Sequence, residues 1–162
     1  MFEPLLSAPL AVQLHAFAAM AAIFLGPIAL FRRRRDRVHK TLGYAWALAM
    51  AVTIASSFVI FQIRLFGPFS PIHLLSVLAS YGLFTGIRAA IRRDISRHRE
   101  TMRRLYFWAL GVAGLFTLMP GRIMSRVLFP DAPVTGFVIA VGVAVAAVVV
   151  LRVRAGSGRT TA

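Results

Sequence analysis

Runs of about twenty apolar residues alternate with short polar and basic stretches along most of this chain. A helix rises about 1.5 Å per residue, so about twenty residues cross the hydrocarbon core of a bilayer. Five such runs stand out: from about Pro9 to Phe31, Thr41 to Ile63, Pro71 to Ile91, Leu105 to Arg122 and Val134 to Leu151. Pro71 suits a first helical turn, where a missing N–H is harmless. Pro120 and Gly121 weaken the far end of the fourth run. The fifth run is mostly Val, Ala and Gly, with no polar side chain beyond Thr135. The pattern predicts an all-α, polytopic membrane helical bundle with five transmembrane helices. Residues 1–154 are expected to form a single integral membrane domain: a first hairpin over 1–64, a second over 65–130 and a fifth helix over 131–154. Residues 155–162, small and polar, are expected to be a disordered tail.

The two hairpins repeat one another. Each carries an outer histidine, a basic inner turn, an inner histidine and then Tyr-x-Trp. The outer histidines, His15 and His73, are 58 residues apart and the inner ones, His39 and His98, are 59 apart. Tyr44-Ala45-Trp46 and Tyr106-Phe107-Trp108 are 62 apart, which lengthens the second inner turn. An ordinary interfacial aromatic belt also accounts for the last two motifs. The expected architecture is a four-helix core of two repeated hairpins plus one peripheral C-terminal helix.

Composition agrees with a membrane protein. The chain is 59% hydrophobic with a mean hydropathy of +0.76, against about 45–50% apolar in soluble domains. Its net charge of +14 would suit nucleic acid, but the basic residues stand at the ends of apolar runs and not on a solvated domain, so nucleic acid is excluded as a partner. Arg32, Arg33, Arg34, Arg35, Arg37 and Lys40 fill the first inner turn. Arg88, Arg92, Arg93, Arg97, Arg99, Arg103 and Arg104 fill the second, and Arg152, Arg154 and Arg159 the tail. Arg64, Arg122 and Arg126 fall on the other side. Basic residues favour the cytoplasmic face, so the N-terminus is expected out, the C-terminus in, and the protein multi-pass in the plasma membrane. The basic face would attract anionic lipid. The charge follows the first apolar run, unlike the order in a cleaved signal peptide, so that helix is expected to stay. The five acidic residues, Glu3, Asp36, Asp94, Glu100 and Asp131, all lie outside the middles of apolar runs, which weighs against a proton-coupled transporter. With no cysteine, disulfides, iron–sulfur clusters and thiolate haem ligation are excluded.

The histidines carry the candidate chemistry. Imidazole ligates haem iron and titrates near neutral pH. His15 lies 17 residues before Arg32, and His73 lies 15 before Arg88, so both rise roughly 25 Å above the basic boundary. His39 and His98 share that boundary. Bis-histidine haem ligation needs two imidazoles at one depth on facing helices, and this chain offers the arrangement twice. Each ring also has a plainer role. His15 can hydrogen-bond a neighbouring helix, His73 can be wet at the membrane edge, His39 can be a solvated interfacial residue, and His98 can sit in a water-exposed turn. Arginines beside an imidazole oppose its protonation and pair with haem propionates. Arg122 either anchors its helix end by snorkelling or pairs with a propionate or polar head group. Thr53, Ser56, Ser57, Ser76, Ser80, Tyr81 and Thr85 fit helix packing. With the histidines split between two levels, tetrahedral zinc is not expected.

His39-Lys40-Thr41-Leu42-Gly43-Tyr44 and His98-Arg99-Glu100-Thr101-Met102-Arg103-Arg104 resemble the predicted membrane proteins of the DUF2306 family. That family has an H-[RK]-x-x-G stretch opening its second helix. It also has H-x-x-x-M-x-R opening a later helix, with an arginine near that helix's far end. These motifs fall on His39 and Gly43, on His98, Met102 and Arg104, and on Arg122. His15 and Gly26-Pro27 also look typical. The resemblance covers about residues 10–128, leaving the fifth helix outside. The alternation of histidines across four helices is similar in architecture to the haem core of cytochrome b-561 proteins.

Two functional classes follow. The first is a b-type haem electron-transfer protein, a membrane cytochrome or oxidoreductase component working with a quinone or another redox partner. Its haems would be ligated by His15 with His73 and by His39 with His98, with Arg122 at the outer level. The second is a haem-free accessory or assembly subunit of a larger membrane complex. It would dock a membrane protein partner through Gly136, Ala140, Gly142 and Ala144 of helix five.

Overall fold

A computed structural model describes residues 2–32, 34–60 and 71–157 of the chain. Among these the fold is all helical: α1 (Glu3–Leu6), α2 (Leu10–Phe31), α3 (Arg37–Ser57), α4 (Pro71–Ile91), α5 (Ile95–Arg104), a π-helical turn (Leu105–Leu110), α6 (Gly111–Thr117), α7 (Ile123–Leu128) and α8 (Pro133–Ser157). Arg33, Arg64 and Arg159, and residues 61–63 of the expected second span, lie outside the described residues. The chain divides into two compact units, Leu6–Ala113 and Met1–Leu5 with Gly114–Ala162.

The larger unit is a ring of four helical segments. α2 packs on α3, α3 on α4, α4 on α5 and the π turn, and these return to α2. α2 and α4 match the expected first and third spans. α3 begins at Arg37 and α5 at Ile95, ahead of the apolar runs, because an aspartate caps each. Asp36 accepts a hydrogen bond from the His39 backbone N–H at 3.0 Å, and Asp94 accepts one from the Arg97 N–H at 3.1 Å. A carboxylate at this position satisfies an otherwise orphan helical N–H and meets the positive end of the helix dipole. Both caps close basic turns, so helix and apolar run start at different residues. Asp36 also pairs with Arg32. That guanidinium and the His39 N–H hold the Asp36 carboxyl down to about 2.

α4 shows why this unit suits lipid. His73, Ser76, Ala79, Leu83 and Ala89 are buried, while Leu74, Val77, Leu78, Tyr81, Phe84, Ile87 and Ile91 are exposed. Small and polar residues face inward and large apolar ones outward, the reverse of a water-soluble helix. Leu10–Phe31 and His73–Ile91 are long and apolar enough to cross a membrane, and only 17% and 28% of their apolar windows are buried. They are therefore not core helices of a soluble domain.

α2 carries Pro27 in its interior. Proline has no N–H, so the Ile23 carbonyl four residues earlier loses its helical donor. The Tyr106 hydroxyl donates to that carbonyl at 3.1 Å, and Trp46 Nε1 donates to the adjacent Ala22 carbonyl at 3.0 Å. Gly26 makes this close approach possible. A Cβ there would run into the Tyr106 ring and come within 3.1 Å of Trp46 Nε1. The matching of the two Tyr-x-Trp motifs does not survive in three dimensions. Trp46 is buried and Tyr44 is 76% exposed, whereas Trp108 is 70% exposed and Tyr106 turns inward. The π turn rotates the second motif relative to a regular helix.

In the smaller unit α7 packs on α8. α6 ends at Thr117, before Pro120, so the fourth span does not continue to Arg122 as one helix. Gly121 turns the chain with φ +89, a conformation that favours glycine. α8 runs through Ser157, three residues into the expected disordered tail. Phe129 fills the space beside Gly136, while Gly142 faces open space.

Candidate functional site

Three helices build the outer histidine level. The Thr53 carbonyl on α3 lies 2.9 Å from His15 Nδ1, and Ser56 Oγ lies 3.1 Å away. A carbonyl only accepts, so Nδ1 carries a proton. Ser56 donates to the Val52 carbonyl at 2.7 Å, which leaves its oxygen to accept from His15. On the next α3 position, Ser57 Oγ meets Ser76 Oγ of α4 at 2.7 Å. His73 stands one turn before Ser76 and is only 6% exposed, so it is not a wet edge residue. Hydroxyls of α3 and α4 thus meet near both outer histidines. These serines bridge helices, whereas Thr53, Ser80 and Thr85 bond back to carbonyls of their own helices.

The inner level differs. His98, on α5, donates from Nδ1 to the Gly86 carbonyl of α4 at 2.9 Å. It is half-buried and anchored, not part of a water-exposed turn. His39, in the first turn of α3, comes within electrostatic reach of His98. Burial first, then His98 and the Arg35 guanidinium, hold the His39 imidazole below its ordinary value, against the Asp36 carboxylate and the Ala29 carbonyl. His39 Nδ1 is buried and has no hydrogen-bond partner. His39 on α3 and His98 on α5, one from each hairpin, thus feel one another's charge. Next to them Met102 lies on Gly86, where a Cβ would collide with its terminal methyl.

Arg122 stands in the other unit, at the start of α7, with its guanidinium 4.6 Å from the centre of the Phe116 ring. That cation–π contact gives it a structural anchor.

The donor chemistry suits haem in one respect. His15 and His98 each donate from Nδ1 to a backbone carbonyl, which in the neutral ring leaves Nε2 as the ligand nitrogen. Among the described residues no three of His, Asp and Glu gather as a metal-binding group. Two shallow grooves lie elsewhere, one on α4 and the start of α5, the other on α5 and the π turn, and no histidine lines either. Sequence reasoning missed Asp36 and Asp94. An aspartate three or four residues before each inner histidine was the available signal.

No curated protein and no solved structure matches the chain. The family model described as "Predicted membrane protein (DUF2306)" matches residues 12–153. The match runs past the 10–128 expected and takes in most of α8. The lipid-facing surface of α2 and α4 and the motifs around His39 and His98 thus have one source: the chain belongs to the DUF2306 family of membrane proteins.

Proposed function

We propose that this protein is a b-type haem electron-transfer protein of the plasma membrane, with its primary site between His39 and His98. The observation that carries the reading is the inner pair itself. His98 donates from Nδ1 to the Gly86 carbonyl at 2.9 Å, and His39, which feels its charge, has a buried Nδ1 with no hydrogen-bond partner. A bound haem would supply one-electron chemistry at that level. The protein's part is to hold two imidazoles from separate hairpins at one depth and to surround them with arginines that can pair with propionates. His15 and His73 form a second, outer site in this reading, with a quinone or other redox partner exchanging electrons. The bundle spans the membrane five times with the N-terminus out and the C-terminus in, supported by the arginines of the inner turns.

The test is the absorption spectrum of the purified protein, oxidised and reduced, with extractable haem measured. A reduced b-type spectrum that His98→Ala removes supports the inner site. Full haem in that variant overturns it. A cysteine at Arg35 should label only from the cytoplasm, and outside labelling would reverse the topology.

A second reading, a haem-free accessory subunit of a larger membrane complex, draws on the grooves, neither of which reaches a histidine. It also draws on the open space at Gly142. A colourless protein expressed with ample haem, purifying with a membrane partner, would favour it.

A further inference from the structure

We infer that a groove on α4 and the start of α5 is a binding site for one anionic diacyl phospholipid. The groove holds about 390 Å³ and is lined by Tyr81, Phe84, Arg88, Arg92, Asp94 and Arg97. Its chemistry is split along α4. Arg88 and Arg92 stand at the polar end. Phe84 and Tyr81 lie about one and two turns deeper, roughly 6 and 10 Å along the helix axis from Arg88. Both aromatics are uncovered by protein, 61% and 67% exposed.

The charge at the polar end is unbalanced. Asp94 is the one carboxylate in the groove, and it is engaged in capping α5 through the Arg97 N–H. The ion pairs among the described residues are Arg32–Asp36 and Arg104–Glu100. Arg88, Arg92 and Arg97 therefore meet no carboxylate partner among the described residues, and three guanidiniums against one carboxylate leave the groove at +2. Guanidinium forks match phosphate oxygens. An apolar aromatic wall directly below a phosphate site has no use for a free anion, but it accommodates acyl chains. Charge and wall together select a phosphate that carries a lipid tail. The inference rests on α4 spanning the membrane, not on haem.

A neighbouring groove gives the internal control. It is lined by Arg99, Glu100, Arg103, Arg104 and Trp108 among others. Its net charge is also +2, but Glu100 pairs with Arg104, which leaves two guanidiniums without a carboxylate partner against three in the α4 groove.

The experiment is native mass spectrometry of the full chain released from nanodiscs of mixed phosphatidylglycerol and phosphatidylcholine. The wild type should retain phosphatidylglycerol preferentially. The triple variant Arg88→Gln, Arg92→Gln, Arg97→Gln should lower that preference at least tenfold, since each basic residue at an anionic surface contributes about fivefold. Arg99→Gln with Arg103→Gln should lower it clearly less than the triple variant does. If the triple variant does not fold, Arg92→Gln alone should give about a fivefold loss. Tyr81→Ser with Phe84→Ser, at exposed positions, should weaken retention of both lipids with the preference kept. An unchanged preference in the triple variant overturns the site. So does an equal loss from both arginine sets, which would mean diffuse surface charge. Displacement of the lipid by glycerol 3-phosphate at equal concentration would mean a soluble phosphate site and would also overturn it. The readout is lipid, so its failure is separate from any result on haem.

Discussion

Removing one oxygen from Tyr106 tests whether the bundle is sealed around the proline of α2. Pro27 cannot donate to the Ile23 carbonyl, and the Tyr106 hydroxyl does so in its place at 3.1 Å. In Tyr106→Phe that acceptor, at the exposed surface near the middle of α2, would face an aromatic ring and the apolar lipid side. A hydrogen bond contributes about 1 kcal/mol net, and an acceptor left unsatisfied costs about 1–3 kcal/mol. Inside membranes measured side-chain bonds average about 0.6 and reach about 1.7 kcal/mol. The expected loss is therefore about 1–2 kcal/mol, or a fall of a few degrees in melting temperature for a chain of this size. The decisive form is a double-mutant cycle. Pro27→Ala restores an N–H that can reach Ile23, so in that background Tyr106→Phe should cost less than about 0.5 kcal/mol. Thermal unfolding in mild detergent, followed by circular dichroism, measures all four corners. Equal losses in both backgrounds would refute the reasoning, because the hydroxyl would then not be standing in for the missing amide.

Gly26→Ala should destabilise by about 1–3 kcal/mol, since the new methyl meets Tyr106 and Trp46. Gly43→Ala, with open space around it, should be stabilising by about 0.5–1 kcal/mol. Melting the two side by side checks the packing, and the opposite order would contradict it. His39 binds its proton more weakly in the folded protein than in the unfolded chain. Its contribution to stability is therefore complete above about pH 6.5 and falls as the pH drops below that value, where only the unfolded state takes up the proton. A melting profile against pH should show the fall, and His39→Gln should flatten it. Arg93 ends α4 with φ 60, a left-handed conformation that costs a non-glycine residue about 1–2 kcal/mol. Arg93→Gly should raise the melting temperature, and a lowered one would show that the arginine side chain holds the turn.

The sequence makes apolar runs legible and water-side helix invisible. The ends of α2 and the whole of α4 follow hydropathy because lipid contact is what selects those residues. α5 begins ten residues before its apolar run. Arg97, Arg99, Glu100, Arg103 and Arg104 read as a solvated turn, yet Asp94 caps them into a helix on whose inner side His98 and Met102 lie. The π turn at Leu105–Leu110 has no compositional mark, so the rotation it imposes on Tyr106 and Trp108 could not be anticipated. Spacing put both His39 and His98 beside the basic turns, and both lie in the first turns of capped helices. For the outer pair it gave depth but not the nearby serines, because α3 carries Ser56 and Ser57 on a face that periodicity alone does not orient.

The internal repeat is more regular in the scaffold than in the site. Asp36 and Asp94 are 58 residues apart, the same offset as His15 and His73. His39 and His98 are offset by 59, and the two aromatics that reach α2, Trp46 and Tyr106, by 60. The hairpins agree from the outer histidine to the helix cap and then drift apart. The reason lies in α2. At the offset of 58, Pro27 corresponds to Thr85 of α4. Thr85 keeps its backbone N–H, so α4 has no freed carbonyl and recruits no aromatic donor. α2 does have one, and the Tyr106 hydroxyl of the π turn meets it, while Trp46 of α3 bonds the adjacent Ala22 carbonyl. A single proline thus removes the symmetry of two otherwise similar hairpins. The π turn lets the second copy deliver Tyr106 where a regular helix would have delivered a different residue.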